Sequence, residues 1–489
     1  MQPSPAPPPH VPVEPPLAQG LLLIALAVGA VLRVRLALTD DGLYWPDEIY
    51  QSLEPAHRLV FGYGLVAWEF IDGARNWALP GLVAGLMGLA RGLGLDSPAG
   101  YLGFVKTAFA LLGTATAWGS FRLARTYGAS PLAAATGASL LALAAVPLYF
   151  APRAMSENAS ALPVVLGLAL ALRPGASRRA LVLGASLLGL AVLLRLQSSV
   201  FCVGLLAVLA ARRRWREVGV ALGVLAVWAV LFGLLDRLTW GRWFHSAIVY
   251  LDFNVLKQGG SAWGTAPFSY YGRVLFGGMR GVTVVVVTLG LLALRRAPGL
   301  TAMAASFFLL HALQPHKELR FLVPVFPLFT ALAGVGMGVA LDQLTLPRLR
   351  AGLALLVVGV GAFSALRSGS LTFGDLGQYE DAKPRASAYD DSGPVNRLLM
   401  VAGQREDTCG LKLEAVHLAW SGGYSYFHRR VPLYPHFGPD RGSGLFNYVI
   451  THASQGFGGE VVAQEGDTLL LRLPVRACAP DPGYSWRLP

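Results

Sequence analysis

The sequence has little charge and little cysteine. Asp, Glu, Lys and Arg together make up 14% of the 489 residues, whereas hydrophobic residues make up 54% and the mean hydropathy is +0.51. This composition excludes an ordinary soluble multidomain protein and predicts a polytopic α-helical membrane protein. Three cysteines are too few for a disulfide framework. Cys409 and Cys478 could still pair if the C-terminal region faces an oxidising compartment.

The sequence also lacks the motifs of nucleotide and metal chemistry. No glycine-rich loop of the P-loop or Rossmann type precedes a helix, and no set of His and Cys has the spacing of metal ligands. We therefore expect no cofactor and no requirement for a divalent metal. The net charge of +12 could suggest nucleic acid. However, the basic residues lie in short Arg clusters between apolar runs, so no nucleic-acid partner is predicted.

Apolar segments account for most of the chain after a Pro-rich stretch. Residues 1–17 are predicted to be a disordered tail, and because they lack a basic n-region the first apolar segment is expected to be retained as a helix. A membrane-spanning helix needs roughly 17–25 residues, so some of the following segments are short for a span. The apolar segments are 19–38, 78–93, 101–121, 131–150, 157–172, 180–194, 198–211, 217–236, 274–294, 299–314, 321–341 and 351–367.

The Arg clusters between these segments predict the topology, because cytoplasmic loops of membrane proteins are enriched in Lys and Arg. With the N-terminus inside, every cluster stays cytoplasmic only if 78–93 is an interfacial or re-entrant helix rather than a span. This predicts about eleven spans within 18–368, although the short pair 180–194 and 198–211 could instead be one broken helix. The clusters are Arg122/Arg125, Arg173/Arg178/Arg179, Arg212/Arg213/Arg214/Arg216, Arg295/Arg296 and Arg348/Arg350.

The same topology places the unusual polar residues on the side opposite to the cytoplasm, here called the far face. That side would be the periplasm of a bacterial inner membrane, or the lumen of an ER membrane in a eukaryote. Membrane lipid is then a partner. The far-face segments are a first loop at 39–77, the turn 151–156, a middle loop at 237–273, the short loop 315–320, and everything after 368.

The first loop carries carboxylates beside the membrane. Asp47 and Glu48 follow Pro46 and could supply a general base at a water-poor interface, although Pro with acids at a first turn is also an ordinary helix start. Further candidate substrate-binding residues follow in the loop, some of them on a predicted short amphipathic helix from Glu48 to Val60. They are Glu54, His57, Trp68, Glu69 and Arg75.

The middle loop is dense in Trp and Tyr, with Asp252 and Asn254 among them and Tyr271 near its end. Aromatic belts at the membrane interface explain part of this pattern. Aromatic rings beside Asn and Asp also suit a sugar site, because rings stack on sugar faces and the polar groups bond to hydroxyls. Asp252, Asn254 and Tyr271 are therefore candidate substrate-binding residues.

The stretch QPHKELRFLVPVFP places His316, Lys317 and Arg320 around Glu318 at the start of a span. Cationic side chains at a helix N-terminus predict an anion site, and a lipid phosphate is the natural anion at that depth. Basic residues that flank a span and reach toward the headgroups are the alternative interpretation. Arg153 and Arg195, at other far-face helix ends, are added as candidate phosphate-binding residues. Glu318 is a candidate substrate-binding residue, which could contact the sugar or orient Lys317.

The C-terminal region, 369–489, loses the apolar runs and is predicted to form a small α/β or mostly β domain on the far face. Four segments are interpreted as short strands because apolar residues alternate with turn residues: NRLLMVAG, VPLYPHF, FNYVITHA and DTLLLRLP.

Four of these stretches, in order, resemble the Alg9-like mannosyltransferases, which are glycosyltransferase family 22. WPDEIYQSLEPAHRLVFGYG with AWEF resembles the first loop of that family, and HKELRFLVPVFP resembles its second signature. LDRLTWGRWFHSAIVYLDFNV resembles its middle loop and HLAWSGGYSYFHRRVPLYPHF its C-terminal domain. The similarity extends from about Arg33 to Phe437.

The resemblance implies a GT-C fold and transfer of mannose, with inversion, from polyprenyl-phosphate mannose to a glycan or glycolipid acceptor. Asp47 would then be the first choice for the base and Glu48 the second, while His316, Lys317 and Arg320 would hold the donor phosphate. Ala67 stands where the family usually has Thr, and Leu319 where an acid is commoner. Those differences bear on the acceptor and the sugar more than on the fold.

Two alternatives remain at this point. One is the same fold acting on another lipid-linked sugar. The other is a transporter of a lipid-linked glycan, which would be expected to have internal repeats and ionisable residues at mid-membrane depth. The sequence has no recognisable repeat and its unusual charges cluster at one face, which favours the enzyme.

Overall fold

The structure is a computed structural model that describes residues 16–378, 384–389, 392–474, 478–479 and 481–488. Most of the predicted tail therefore lies outside the described residues, and the first helix begins at Pro16. The α-helices are α1 Pro16–Thr39, α2 Glu54–Phe61, α3 Trp68–Ile71, α4 Ala78–Gly92, α5 Pro98–Thr126, α6 Pro131–Leu143, α7 Ala145–Phe150, α8 Ser156–Ala171, α9 Arg178–Leu194, α10 Ser199–Ala211, α11 Trp215–Trp240, α12 His245–Leu251, α13 Tyr270–Met279, α14 Gly281–Ala293, α15 Pro298–Leu313, α16 Phe326–Asp342, α17 Pro347–Leu366, α18 Gly393–Gly403 and α19 Gly423–Phe427.

Several of these helices are long and apolar enough to cross a membrane. Within the described ranges they are α1, α11, α17 and the continuous stretch Leu319–Asp342, which is a 3₁₀ turn followed by α16. The pair α13 and α14, bent by 118°, would make a fifth. Helix α4, which the topology argument excluded as a span, has 15 residues. The number of eleven spans stays a prediction.

Two segments predicted as single spans are each divided into two helices. Segment 131–150 breaks at Ala144, because Pro147 has no N–H to bond and its ring crowds the preceding turn. The side chain of Arg33, buried on α1, donates to the freed carbonyls of Leu141 and Ala142 at 3.0 and 2.6 Å. Segment 274–294 breaks at Arg280, whose φ is +42°.

The core of the helical part lies where α6 and α16 cross against α5 and α8. A Cβ on Gly137 would stand 2.5 Å from the carbonyl oxygen of Thr330 and 2.7 Å from Gly334, so only glycine permits this close approach. Small residues at helix contacts are the usual means of packing helices in a membrane. The hydroxyls of Ser120 and Thr330 add an interhelical hydrogen bond of 2.8 Å.

The C-terminal region forms the predicted small α/β domain. Its five strands are β1 Leu411–Leu413, β2 Leu433–Tyr434, β3 Tyr448–His452, β4 Glu460–Glu465 and β5 Thr468–Arg472, in the order β2-β1-β3-β5-β4. Strand β1 is parallel to β2 and β3, whereas β5 is antiparallel to β3 and β4. Three predicted strand segments contain β2, β3 and β5.

The fourth strand prediction, NRLLMVAG, is wrong, because this segment lies in α18. Pro394 stands in the first helical turn, where its missing N–H costs nothing. Leu398, Leu399 and Ala402 then recur at helical spacing and are buried. Cys409 and Cys478 form a disulfide in this domain, with their Cα atoms 6.1 Å apart.

Hydrogen bonds fix the C-terminal domain to the first loop. Both carboxylate oxygens of the fully buried Glu54 accept backbone N–H groups, from Leu65 at 2.8 Å, Tyr424 at 3.1 Å and Ser425 at 2.8 Å. The chain end pairs with the same loop, since Leu488 N–H donates to the carbonyl of Val66 at 3.0 Å. The first loop and the C-terminal domain therefore form one continuous surface.

Candidate active site

A cavity of about 390 Å³ lies between the first loop, the middle loop, the start of the Leu319–Asp342 helix and the C-terminal domain. Its walls combine carboxylates, guanidinium groups and aromatic rings. Residues predicted from the sequence that line it are Asp47, Trp68, Glu69, Arg75, Arg195, Asn254, His316, Glu318 and Arg320. The structure thus brings together residues that are up to 273 positions apart in the chain.

Arg320 is the centre of the charge network in this cavity. It lies in the 3₁₀ turn Leu319–Val325, is 3% exposed, and donates from Nη2 to Asp47 Oδ2 at 2.5 Å. Its Nε donates to Glu318 Oε2 at 2.7 Å, and its Nη1 lies 3.7 Å from Glu157 Oε1. A guanidinium group carries five donors on three nitrogens in a planar fork, whereas the three donors of a lysine share one nitrogen.

Glu157 also lines the cavity, although it was not predicted from the sequence. It is buried at the start of α8, accepts from Arg195 at 2.6 Å, and joins that side chain to Arg320. A lone acid at the edge of an apolar segment is costly in a membrane and could have signalled the site. The other cavity residues without a prediction include Gln51, Gln197, Tyr250, His417 and Trp420.

Glu318, for which the sequence left open contact with the sugar or orientation of Lys317, bonds to His316 and Arg320. Its Oε1 receives hydrogen bonds from His316 Nε2 and Arg320, both at 3.0 Å. Burial alone would raise the pKa of Glu318, but the adjacent Arg320 and His316 hold it below its ordinary value. Burial lowers the pKa of His316, whereas the hydrogen bond to Glu318 and its negative charge raise it. The net effect is a pKa above the ordinary value of histidine. His316 is therefore readily protonated beside a stable carboxylate.

Asp47 and Glu69 are the two carboxylates that the first loop presents to the cavity. Asp47 is held by Arg320, and 22% of its side chain is exposed. Glu69 is buried on α3 and accepts from Gln51 Nε2 at 2.8 Å. Burial, and then the charge of Asp47, raises the pKa of Glu69 to about 7. Glu69 can thus gain or lose a proton near neutral pH beside Asp47.

Three predicted catalytic or phosphate-binding residues lie outside this cavity. Glu48 is 2% exposed and accepts from Arg153 at 2.8 Å, while Arg153 also donates to Asp40 at 3.0 Å. The ammonium of Lys317 points at backbone carbonyls, donating to Ala266 at 2.6 Å. These contacts use the charges to hold loops together, so the structure does not bring Glu48, Arg153 and Lys317 to the site.

Four candidate substrate-binding residues also lie elsewhere. Glu54 joins the C-terminal domain, and His57 contacts His428 of that domain, with Nε2 2.9 Å from Nδ1. Asp252 pairs with Lys257 at the surface at 2.5 Å. Tyr271 is fully buried beside Phe308. Only Asn254 of the predicted middle-loop residues lines the cavity.

Aromatic rings form the wall beside Asn254. Trp68 lies 4.7 Å from Phe253 and 6.0 Å from Trp263, measured between ring centroids. Phe253 and Asn254 lie on a π-helical turn, Asp252–Leu256, that directs both toward the cavity. Flat rings beside an amide match the sugar-binding surface expected from the sequence.

A second, more apolar cavity of about 370 Å³ adjoins the first and is called here the lipid groove. The two share Arg195, Gln197, Tyr250, Asn254, Gly260, His316 and Phe321. Beyond these, the groove is lined by the aliphatic side chains Leu196, Val200, Leu251, Val255 and Leu310, and by Ser199, Gln258, Ser261, His311, Gln314 and Pro315. A mainly apolar groove with some polar residues therefore adjoins the polar cavity. No group of three or more His, Cys, Asp or Glu is placed to hold a metal ion among the residues that the structure describes.

Comparison with known proteins adds a family and a fold. Residues 24–371 match the model of the Alg9-like mannosyltransferase family. GPI mannosyltransferase 3 of Yarrowia lipolytica is 31% identical over 324 residues, covering 63% of this chain and 61% of that protein. GPI alpha-1,2-mannosyltransferase 3 of Bos taurus is 26% identical over 329 residues, covering 66% and 60%. The match thus spans less than two thirds of either relative.

Two solved structures share the architecture. ArnT from Cupriavidus metallidurans bound to undecaprenyl phosphate aligns with a TM-score of 0.63 at 16% identity, covering 95% of this chain and 100% of that one. AglB from Archaeoglobus fulgidus, in complex with an inhibitory peptide and a dolichol-phosphate, aligns with a TM-score of 0.55 at 14% identity, covering 90% and 70%. These similarities confirm the GT-C fold that the sequence resemblance implied.

Proposed function

Because the chain belongs to the Alg9-like mannosyltransferase family, we propose that it transfers mannose from polyprenyl-phosphate mannose to a hydroxyl of a glycan or glycolipid acceptor. The observation that carries this proposal is the junction of the lipid groove with a cavity that holds guanidinium groups and a partly exposed carboxylate. A lipid-linked sugar phosphate has the same succession of an apolar chain, an anion and a sugar.

The donor would lie with its polyprenyl chain in the lipid groove and its phosphate among Arg195, His316 and Arg320. Arg195 and Arg320 are 5% and 3% exposed, so their charges act in a region that excludes most water. Phosphates are bound most firmly by guanidinium groups, which donate in pairs. The similar fold of ArnT, whose structure holds undecaprenyl phosphate, supports this arrangement.

The reaction requires one base and stabilisation of a leaving phosphate. The acceptor hydroxyl would give its proton to Asp47 while its oxygen attacks the anomeric carbon of mannose from the face opposite to the phosphate. The bond between that carbon and the phosphate oxygen breaks, the electron pair leaves with the polyprenyl phosphate, and the configuration inverts. Arg195, Arg320 and protonated His316 would neutralise the charge that develops on the phosphate.

We place the reaction on the far face of a bacterial inner membrane or of an ER membrane, with the protein crossing the membrane several times. The disulfide between Cys409 and Cys478 supports this orientation, since disulfides persist in oxidising compartments. The cavity and the C-terminal domain share walls, so both would face the same side. The Arg clusters predicted from the sequence to be cytoplasmic agree with that choice.

The direct test is transfer by purified protein in liposomes. Polyprenyl-phosphate [14C]mannose and GDP-[14C]mannose would be offered separately with a membrane glycolipid extract, and labelled glycolipid would be measured. We expect label from the lipid-linked donor only. Label from the nucleotide donor, or movement of lipid-linked glycan across the bilayer without transfer, would contradict the proposal. Transfer from lipid-linked glucose or arabinose in place of mannose would favour the same fold with another sugar.

A matched pair of variants tests the lipid groove. Leu310 on α15 lines the groove, whereas its neighbour Leu309 is almost equally exposed but does not. Leu310→Trp should raise the KM for the lipid-linked donor about tenfold or more by filling the channel, and Leu309→Trp should leave it unchanged. Equal effects of the two substitutions on the KM for the donor would show that the donor does not bind in the lipid groove.

A further inference from the structure

The C-terminal domain contributes its own wall to the catalytic cavity. His417 and Trp420, on either side of Ala419, line the cavity together with Leu488 at the chain end. Trp420 packs edge-to-face against Trp45 of the first loop, with ring centroids 5.1 Å apart. None of the predicted phosphate-binding or catalytic residues lies on this wall.

From this wall a series of rings leads out of the cavity. His417 lies 5.7 Å from His436 and 6.0 Å from Phe437, and these two rings are 5.0 Å apart. Phe437 is 58% exposed although it belongs to a polar domain. We name Trp420, His417, His436 and Phe437 the aromatic platform. It connects the catalytic cavity with open solvent.

The hydrogen bonding of His417 suits a hydroxyl ligand. Its Nδ1 accepts from the backbone N–H of Ala419 at 3.2 Å, which leaves the hydrogen of the neutral ring on Nε2. Burial and the neighbouring His436 lower the pKa of His417, so the ring is neutral at neutral pH. The platform therefore offers ring faces together with at least one N–H donor.

The aromatic platform and the lipid groove occupy different walls of the cavity. The residues that line the groove come from within 195–200, 250–261 and 310–321, whereas the four residues of the platform come from the C-terminal domain. A donor that enters through the groove leaves the platform unoccupied. The platform is thus the surface on which the second substrate can extend.

We propose that the aromatic platform is an acceptor subsite, which binds sugar residues of the acceptor glycan beyond the one that receives mannose. The proposal rests on the transferase function proposed above and names the part of the acceptor that is recognised. Trp420 and Phe437 stack on pyranose faces, and His417 donates to a hydroxyl. The enzyme accordingly prefers acceptors of two or more sugar residues.

The test compares acceptors of different length with Phe437→Ala. Synthetic lipid-linked mannose and lipid-linked mannotriose would be used as acceptors. We expect the KM for the mannotriose acceptor to rise about tenfold, as for the loss of one stacked ring. The kcat, the KM for the donor and the KM for the mannose acceptor should stay unchanged. Val461→Ala is the control, because Val461 is 55% exposed in the same domain but lies outside the platform.

Equal effects on both acceptors, or none on either, would overturn the platform as an acceptor subsite. A change in the KM for the donor would also overturn it. Such a change is expected if Phe437 contacts the membrane surface and not the acceptor. Binding of free mannotriose, measured by saturation-transfer difference NMR, tests the platform without turnover. A wild-type signal that Phe437→Ala weakens supports the subsite, and no wild-type signal overturns it. Failure of the transferase function is seen separately, as wild-type protein that transfers no sugar.

Discussion

Two adjacent acids, Asp47 and Glu48, should respond in opposite ways to the same kind of substitution. Asp47 faces the cavity, and Glu48 faces Arg153 beneath the first loop. Asp47→Asn and Glu48→Gln each replace a carboxylate by an amide of nearly the same shape. The pair therefore separates a role in proton transfer from a role in holding the loop.

The contacts of Asp47 predict a large loss of rate and a small loss of stability. The amide introduced by Asp47→Asn would still accept from Arg320, and the side chain is 22% exposed, so the free energy of unfolding should fall by about 1 kcal/mol. That amide cannot take a proton from the acceptor. A general base contributes about 10²- to 10⁴-fold, which corresponds to about 3 to 5 kcal/mol of activation free energy.

The contacts of Glu48 predict a small loss of rate and a clear loss of stability. Its side chain is 3% exposed and bonded to Arg153, which is itself 2% exposed. Removing the charge of Glu48 weakens a hydrogen bond to a buried guanidinium group, which costs about 1.5 to 3 kcal/mol, while Arg153 keeps Asp40 as a partner. The free energy of unfolding should therefore fall clearly in Glu48→Gln, whereas kcat of the folded fraction should stay within about threefold of the wild type.

Both variants would be purified in detergent and the folded fraction determined by size-exclusion chromatography. Initial rates at saturating donor and acceptor give kcat per folded molecule, and Trp fluorescence during heating gives the Tm. The reasoning is refuted if Asp47→Asn keeps more than about a tenth of the wild-type kcat, or if Glu48→Gln loses more kcat than Asp47→Asn does.

Three further substitutions test other parts of the structure. Arg320→Lys should lower kcat/KM for the donor about 100-fold or more, since an ammonium lacks the separate nitrogens that bond to Glu318 and Asp47 and the fork that binds a phosphate. Initial rates over a range of donor concentrations measure this. Glu69 is neutral below and charged above its pKa of about 7, so the donor KM should rise as the pH increases through 7. Glu69→Gln should reduce this pH dependence and leave the part that is due to His316, and a pH dependence as large as that of the wild type would contradict the assignment. Glu54→Ala should lower the free energy of unfolding by about 3 kcal/mol, because three backbone N–H groups lose their acceptor. Equilibrium unfolding in denaturant measures this change. An unchanged midpoint would refute the role of Glu54 in fixing the C-terminal domain to the first loop.

Much of the fold follows from local patterns in the sequence. Apolar length and turn residues indicated where helices lie, and alternation indicated the strands that contain Leu433, Tyr448 and Leu470. The break at Ala144 was not predicted, although Pro147 in the sequence signals it. The break at Arg280 was not predicted either, since a bent helix keeps the same apolar composition as a straight one. A similar limit explains why the segment in α18 was predicted to be a strand. In a short segment, the apolar pattern of a helix and the alternation of a strand overlap.

The site could be predicted in outline because its residues come from loops on one face. Asp47, Asn254 and Arg320 were grouped from the far-face topology, and they meet in one cavity. The choice of partners could not be predicted. Lys317 and Arg320 look alike in HKELR, yet one side chain reaches backbone carbonyls and the other reaches three carboxylates. That difference depends on tertiary contacts that no local pattern encodes.

The charge balance of the cavity links donor binding to protons. Four carboxylates face it against three guanidinium groups: Asp47, Glu69, Glu157 and Glu318 against Arg75, Arg195 and Arg320. A donor phosphodiester would add a further negative charge, and an unbalanced charge about 4 Å away costs about 4 kcal/mol near a protein surface. Protonating Glu69, whose pKa is about 7, costs little at neutral pH, and the pKa of His316 is raised as well. Proton uptake at these two groups is therefore the least costly way for the cavity to accept an anionic donor.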